Sequence, residues 1–166
     1  MIIRKETESD YEEIANVTKL AFETLAVSQH TEQFIINALR AANALTVSLV
    51  AEIEGKIIGH IAFSPVTISD GSKDWYGLGP ISVLPELQKQ GIGKALMHEG
   101  LSIMKTMGAK GVVLVGDPNY YQRFGFRSIP ELTLEGVPPE YFMALTIDGT
   151  SAHGTVEFHK GFEATA

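Results

Sequence analysis

The sequence predicts an α/β fold with a mixed central β-sheet. Three β-rich runs separated by short turns occupy the middle of the chain, which is the pattern of an antiparallel meander. A long helical run and then a continuous apolar run follow them. Such a strand–helix–strand crossover makes the two flanking strands parallel. The length of 166 residues fits one domain, which we expect to span residues 1–166.

The composition excludes several classes of protein. The net charge of −7 disfavours a nucleic-acid partner, because binding to phosphate backbones depends on Lys and Arg, and it weakly suits a cationic partner. The chain has no Cys, and none of its five His residues lies in a metal-binding pattern, so we expect no metal. No apolar run approaches the roughly 20 residues of a membrane span. We therefore expect no membrane partner and a cytoplasmic location.

The first predicted elements are a strand and two helices. The run Ile2 to Lys5 is predicted as the strand, and Ser9 or Asp10 is positioned to cap the first helix. A second helix is predicted from Thr31 to Ala42. The apolar positions expected to face the core are Ile14, Val17, Ala21 and Leu25 in the first helix, and Phe34, Ile35, Ala38 and Leu39 in the second.

The remaining elements form the sheet and its crossover. Glu54-Gly55 is a hairpin signal between two β-rich runs, and Gly108 is placed to end a long helix in the left-handed conformation. The predicted strands are Ser48 to Ile53, Lys56 to Val66, Trp75 to Val83, Gly111 to Val115, Tyr141 to Ile147 and Thr155 to His159, and the predicted helices are Ile92 to Met107 and Asn119 to Phe124.

A Gly-rich turn precedes the long helix and is the most informative stretch of the chain. It contains Gly91 and Gly93, two glycines at alternate positions. Glycines in such a turn leave backbone N–H groups unobstructed, and these donors form an anion site with the positive end of the helix dipole. The turn therefore predicts a phosphate ligand.

Three phosphate-binding motifs compete for this turn. A dinucleotide fingerprint requires a third glycine where Leu96 stands. A P-loop requires a hydroxyl where Ala95 stands and a glycine where Gln88 stands. The pattern Q/R-x-x-G-x-G/A, in contrast, is filled by Gln88, Gly91 and Gly93. The chain satisfies only this third pattern.

A second motif lies downstream, in the segment Tyr120 to Phe126, where Tyr121 stands four residues before Gly125. Together with the Gly-rich turn, it resembles the GNAT acetyltransferase superfamily, and Gly116-Asp117-Pro118 makes the chain most similar to the YhbS-type subgroup. The resemblance implies a GNAT-like fold in which the fourth strand splays from the fifth and leaves a cleft. Pro80, which has no N–H for a strand ladder, is compatible with such a split.

The resemblance also implies a site. Acetyl-coenzyme A would be the co-substrate, held at its pyrophosphate by the backbone N–H groups of Gln90 to Ala95 and by the side chain of Gln88. The strand before the turn would hydrogen-bond the pantetheine arm and polarise the thioester carbonyl. Tyr121 would protonate the departing thiolate, since a phenol with a pKa near about 10 is a proton donor at neutral pH. The cofactor-binding residues implied in this way are Ile81, Ser82, Val83, Gln88, Lys89, Gln90, Gly91, Ile92, Gly93, Lys94 and Asn119.

These residues predict an N-acetyltransferase that passes an acetyl group from acetyl-CoA to a primary amine by direct attack. The acceptor, a small molecule or a peptide, would contact the segment Phe22 to Glu32 and parts of the tail. The sequence leaves open whether the protein forms a homodimer. The alternatives are a non-catalytic acyl-CoA sensor and a binding module for another phosphate ligand. His60 is interpreted as a satisfied sheet histidine rather than as part of the acceptor site.

Overall fold

The computed structural model describes residues Met1–Ala166, which divide into two compact units. The first unit contains Met1–Ser64, Gly79–Ile103 and Lys160–Ala166, and the second contains Pro65–Leu78 and Met104–His159. The expectation of one domain over residues 1–166 stays a prediction.

Strands and helices follow one another along the chain, joined by turns and short 3-10 segments. None of the helices has both the length and the apolar character needed to cross a membrane. The strands are β1 (Ile2–Lys5), β2 (Val47–Ile53), β3 (Lys56–Ile68), β4 (Trp75–Val83), β5 (Gly111–Val115), β6 (Leu132–Thr133), β7 (Phe142–Thr146) and β8 (Gly154–Phe158), and the helices are α1 (Tyr11–Phe22), α2 (Glu32–Ala41), α3 (Ile92–Met107) and α4 (Pro118–Tyr121).

The first unit is built on an antiparallel ladder of β1, β2 and β3, with β4 next to β3. The β2–β3 hairpin turns at Glu54 and Gly55, whose φ angles of 49° and 78° are both positive, as in a type I′ turn. Just beyond β4, the amide of Leu84 donates to the carbonyl of Ile58 at 2.9 Å. This bond sets the register of β4 against β3.

Helices α1 and α2 of the first unit pack against each other. In α2, Ile35 and Leu39 are buried with Ala44, and the partly buried side chains of Leu45 and Phe162 pack against them. The C-terminal segment that carries Phe162 is therefore part of this small core rather than a loose end.

The central strand of the second unit is β5. Residues Trp75–Gly77 at the start of β4 pair with β5 in parallel, and β7 pairs with it antiparallel. Residues Val66–Ile68 at the end of β3 pair with β8, which in turn pairs with β6. The buried core of this unit contains Val66, Ile68, Trp75, Val113, Leu132, Phe142, Ala144, Ala152 and Val156.

The predicted α/β fold with a mixed sheet is confirmed, and α3 and β5 have the predicted bounds. The helix faces are shifted in two places. Leu25 is 45% exposed because α1 ends at Phe22, so the helical spacing that predicted burial no longer applies there. In α2, Ile36 is buried, whereas Phe34 is only partly buried. Strand β6 was not predicted, because two residues are too few to show an alternation.

Candidate functional site

The start of α3 leaves backbone donors without a helical partner. The first bond inside the helix runs from the amide of Ala95 to the carbonyl of Gly91 at 3.0 Å. The amides from Gly91 to Lys94 precede that bond, and the N-terminal amides of a helix have no intrahelical acceptor. Gly91 is the capping residue and has no side chain to satisfy them. Ala95, which the predicted range included, uses its amide inside the helix.

The backbone before α3 has the conformation of an anion-binding turn. Lys89 has φ 64° and Gly91 has φ 88°, whereas Gln90 between them has no positive φ. Alternation of left- and right-handed residues points successive N–H groups to one side, which makes a concave site for an anion. A Cβ atom at Gly91 would meet nothing within 4 Å, so no packed neighbour crowds this position. Glycine is needed there for its backbone conformation rather than for space.

The first turn of α3 packs directly on the sheet of the first unit. A Cβ atom at Gly59 in β3 would lie 3.1 Å from the Cδ1 atom of Leu96 and 3.1 Å from the carbonyl oxygen of Ser82. Only a residue without a side chain allows the helix and β4 to approach β3 so closely. The donors at the start of α3 are therefore carried by a rigid support.

The side chain of Gln88 ties the turn to the end of β4. Its Nε2 atom donates to the carbonyl of Val83 at 3.1 Å. The pyrophosphate contact that the sequence motif implies for this side chain stays a prediction. Lys89 and Lys94 are both exposed on either side of the glycines.

The strand before the turn contains a buried hydroxyl without a protein partner. Ser82 is 2% exposed, and its Oγ atom makes no hydrogen bond to the protein, whereas its neighbours Ile81 and Val83 are partly exposed. Gly79 has φ 137°, and Pro80 has no N–H, so regular strand pairing is weakened at this point. The splay of the fourth strand from the fifth stays a prediction.

Tyr121 lies in the second unit, at the end of α4. A Cβ atom at Gly116 would collide with its ring, so the glycine allows the ring to lie on the backbone. The rings of Tyr120 and Phe126 stand edge-on to it, with centroids 5.0 and 6.3 Å away. Burial, with smaller effects of Tyr120 and Asp117, raises the pKa of Tyr121 to about 12. The phenol is thus fully protonated at neutral pH, and its pKa exceeds the ordinary value expected from the sequence.

Asn119 is exposed near the start of α4 in the same unit. Its backbone amide donates to the Oδ1 atom of Asp117 at 2.9 Å, so Asp117 caps this short helix. Pro118 follows Asp117 and has no N–H to satisfy. This helix start is closed by its own residues, and a cofactor contact of Asn119 would have to come from its side chain.

Sequence reasoning missed a buried polar chain in the first unit. His60 is fully buried in β3, and its Nε2 atom lies 2.7 Å from the Oγ atom of Ser48 in β2. Ser48 in turn donates to Glu6, which is paired with Arg40. The Nδ1 atom of His60 has no protein partner, so the interpretation as a satisfied histidine holds for one ring nitrogen only. The only sign of this hydrogen-bonded group in the sequence was that Ser48 and His60 are polar residues within otherwise apolar strands.

No group of three or more His, Cys, Asp or Glu side chains lies close enough together to hold a metal ion. Apart from that, the described residues offer backbone donors for an anion at the start of α3, and Tyr and His side chains for proton transfer.

Comparison with known proteins connects these features. A model of the acetyltransferase (GNAT) family matches residues 10–126, a range that includes the Gly-rich turn and Tyr121. The uncharacterized N-acetyltransferase YhbS of Escherichia coli strain K12 is 37% identical over 127 residues, which are 76% of this chain and 73% of that protein.

Two solved structures are similar over nearly the whole chain. A GNAT family acetyltransferase from Brucella melitensis in complex with acetyl-CoA has 48% sequence identity and a TM-score of 0.87, and the match covers 97% of each chain. The YhbS protein of Escherichia coli in complex with CoA has 31% identity and a TM-score of 0.86, with 99% of this chain and 93% of that chain covered.

Proposed function

The chain belongs to the acetyltransferase (GNAT) family, and we propose that it is an N-acetyltransferase that moves the acetyl group of acetyl-CoA to a primary amine by direct attack. The observation that carries the proposal is the open, glycine-capped start of α3. The solved relatives with acetyl-CoA or CoA bound support acetyl-CoA as the co-substrate.

In this proposal, the turn before α3 binds the diphosphate of acetyl-CoA. Backbone amides from Gln90 to Lys94 donate to the phosphate oxygens, and the helix dipole adds a favourable field. Lys89 and Lys94 add positive charge at the rim. Because these donors are fixed before the ligand arrives, little ordering cost is paid on binding.

The segment Ile81–Val83 of β4 is proposed to bind the pantetheine arm and the thioester. Backbone N–H groups that donate to the thioester carbonyl stabilise the negative charge that develops when the amine attacks. Attack on the carbonyl carbon then breaks the carbon–sulfur bond, and holding the two reactants in line supplies much of the rate.

Tyr121 is proposed as the acid that protonates the departing sulfur. Its support is its residue type, its place within the range that the family model matches and its protonated state, since its pKa is raised to about 12. The phenol therefore carries its proton at neutral pH and is available to protonate the sulfur as the carbon–sulfur bond breaks.

The acceptor is proposed to bind near the loop between α1 and α2. A cavity of about 270 Å³ there is lined by Lys19, Glu23, His30 and Gln33. The carboxylate of Glu23 supplies a partner for a cationic amine, and the net charge of −7 favours the approach of a cation. The cytoplasmic location and a homodimer stay predictions.

The proposal is tested by binding and by turnover. Isothermal titration measures acetyl-CoA binding, and thiol release is then followed with ethylamine, spermidine, a peptide with a free N-terminus and a lysine-containing peptide with a blocked N-terminus. We expect binding and amine-dependent release with at least one of them. No heat of binding up to millimolar acetyl-CoA would reject the proposal. Binding without release for any of the four amines would favour the acyl-CoA sensor instead.

A further inference from the structure

We infer that Glu6, Ser48 and His60 form a buried proton relay that carries a proton from strand β4 to the protein surface during acetyl transfer. All three residues lie in the first unit, on neighbouring strands or at their ends. The inference rests on the proposed function, which needs a route for the proton that the amine nitrogen loses and names no base for it.

The relay begins with the ion pair of Glu6 and Arg40. The Nε and Nη2 atoms of Arg40 donate to the two carboxylate oxygens of Glu6 at 2.9 and 2.8 Å, and both side chains are mostly buried. Burial alone would raise the pKa of Glu6, but the hydrogen bonds from Arg40 and Ser48 outweigh it and lower the pKa. Glu6 is therefore an ionised carboxylate at neutral pH and can only accept hydrogen bonds.

The ionised carboxylate determines the tautomer of His60. Ser48 has a single hydroxyl proton, and it donates that proton to Glu6 at 2.5 Å. Its oxygen, 2.7 Å from the Nε2 atom of His60, must then accept, so the proton of the neutral imidazole lies on Nε2. The Nδ1 atom is left as a bare acceptor, and it is buried without a protein partner.

The ring stays neutral at physiological pH. Burial, partly offset by Glu6 and reinforced by Arg40, lowers the pKa of His60 to about 4. A ring that is neutral, with a donor bonded on one side and a bare acceptor on the other, passes a proton through by accepting at Nδ1 as it donates from Nε2. It need not hold the charge itself.

The strand that is proposed to bind the thioester lies next to the strand that carries His60. Since Leu84 bonds Ile58 and β4 is the neighbour of β3, regular alternation places Ser82 directly opposite His60 on the same face. Residues paired in this way have Cβ atoms about 5 Å apart. The Oγ atom of Ser82 is also buried without a protein partner. One water molecule bonded to both groups would satisfy them and join the relay to β4.

The protons balance as follows. An amine that arrives as an ammonium ion loses one proton to the bridging water, which passes a proton to Nδ1 of His60. The Nε2 proton moves to Ser48, the Ser48 proton moves to Glu6, and the carboxylic acid releases it to solvent. This transfer leaves His60 protonated at Nδ1, so after attack the nitrogen loses its second proton to water in the cleft, and the sulfur takes one from Tyr121, which recovers it from solvent. After the products leave, Nδ1 gives its proton to solvent and Glu6 takes one up and passes it back through Ser48, which restores the starting tautomer. The net products are the amide, CoA and one proton.

Four variants test the relay. His60→Gln keeps an N–H donor for Ser48 but has no basic nitrogen, and Ser48→Ala breaks the link to Glu6 whereas Ser48→Thr keeps the hydroxyl. Ser64→Ala is the matched control, because Ser64 is equally buried in β3 with an unpartnered hydroxyl but is not part of the relay. Each is assayed for acetyl-CoA affinity and for kcat from pH 6 to 10, with the amine of the four that gives the highest wild-type turnover.

We expect His60→Gln and Ser48→Ala to lower kcat at pH 7 by roughly 100-fold, the usual size of a lost proton-transfer step. Acetyl-CoA affinity should stay within about twofold, and the loss should shrink towards pH 10, where half of an amine with a pKa of about 10 is already neutral. Ser48→Thr should recover most of the rate that Ser48→Ala loses, and Ser64→Ala should keep the wild-type rate. If these residues had a purely structural role, the loss of kcat would not depend on pH in this way.

Nitrogen NMR of the wild-type protein tests the tautomer without any turnover. A bare Nδ1 atom and a protonated Nε2 atom on His60 are expected, and the opposite tautomer would overturn the relay. An active wild type together with an equally active, folded His60→Gln variant would overturn the relay and leave the proposed function standing. A wild type that binds acetyl-CoA but acetylates none of the four amines would overturn the proposed function, and the relay with it.

Discussion

Helices α3 and α4 both begin beside residues that sequence analysis assigned to the cofactor, yet their starts are built in opposite ways. The start of α3 has a glycine cap, and its first amides have no side chain to receive them. The start of α4 has Asp117, whose carboxylate accepts the amide of Asn119, and Pro118, which has no amide at all.

The difference shows which helix start is available to an anion. Orphaned amides and a 16-residue dipole favour a phosphate at α3, whereas a four-residue helix closed by a carboxylate offers neither donors nor a favourable charge. The start of α4 serves instead to hold Tyr121, the last residue of the helix, against Gly116. We therefore expect a ligand at the start of α3, whereas the start of α4 holds a side chain.

Gly91→Ala breaks the open start and should have the largest effect. The substitution forces φ 88° on a residue with a side chain, which costs about 1–2 kcal/mol, so the turn relaxes and moves its amides. Loss of two charge-assisted hydrogen bonds, at about 1.5 kcal/mol each, should weaken acetyl-CoA binding roughly 100-fold in a calorimetric titration.

The matched control is Gly108→Ala. Gly108 has φ 85°, is exposed and has nothing within 4 Å of its Cβ position, but it lies at the opposite end of α3. It should lower the melting temperature to a similar extent and leave acetyl-CoA affinity unchanged. Equal losses of affinity in both variants would mean that the turn has no special part in binding.

Tyr121→Phe tests the proposed acid, which the closed start of α4 holds in place. Removal of the phenolic proton should lower kcat by about 10- to 100-fold and leave the acetyl-CoA dissociation constant within about twofold, since the ring still packs on Gly116. Steady-state kinetics and calorimetry separate the two quantities. Tyr120→Phe is the neighbouring control and should keep full turnover; an unchanged kcat in Tyr121→Phe would remove the acid role.

The residue before α1 gives a third case, in which a carboxylate precedes a helix without capping it. Asp10 accepts hydrogen bonds from Arg4 at 2.7 and 3.0 Å, and these bonds, opposed by burial, lower the pKa of its carboxyl to about 2. A lowered folded-state pKa stabilises the protein above the unfolded value of about 3.8, and this contribution is lost as the pH falls through about 2.

Asp10→Asn should therefore lower the free energy of unfolding by roughly 2 kcal/mol at pH 7, and the difference from wild type should close towards pH 2. Urea unfolding at pH 7, 4 and 2 measures it. A difference that stays constant over this range would show that the carboxylate charge contributes nothing at this helix start.

Asp117→Ala opens the closed start of α4. Loss of the cap should destabilise the protein by about 1 kcal/mol, whereas Asp117→Asn, which can still cap, should keep most of that stability. Acetyl-CoA affinity should not change in either variant. A gain or loss of affinity beyond about threefold would make the start of α4 part of the ligand site after all.

Gln88→Ala should have the smallest effect. The side chain is exposed, and its one bond, to the carbonyl of Val83, is a neutral one. We expect a change in unfolding free energy within about 0.5 kcal/mol and less than threefold in acetyl-CoA affinity. A tenfold loss of affinity would support the role on the phosphate that the sequence pattern implied.

Local patterns predicted the elements with strong periodicity and strong turn signals. Helix α3 and strand β5 have their predicted bounds, and Glu54-Gly55 turns as expected, because the signals for each are contained in a few neighbouring residues. Predictions that needed to know where an element stops were weaker. Leu25 fits the apolar spacing of α1 but lies beyond its end, in solvent.

The predictions for the site differ in the same way. The residues around Gly91 were readable because backbone conformation and helix start are local properties. Three features could not be predicted from spacing, because they depend on neighbours in the folded structure. They are the bond of Gln88 to Val83, the bond from the amide of Asn119 to Asp117 and the raised pKa of Tyr121.

The sequence by itself determined the fold class, the helix that carries a glycine-capped start and the family to which the chain belongs, because each depends on short-range periodicity or on a contiguous motif. Tertiary structure alone decided that Glu6, Ser48 and His60 meet as one hydrogen-bonded chain. These residues come from different strands or strand ends, and only the register of the sheet and burial from water, which keeps the ring of His60 neutral, turn three scattered polar residues into a connected group.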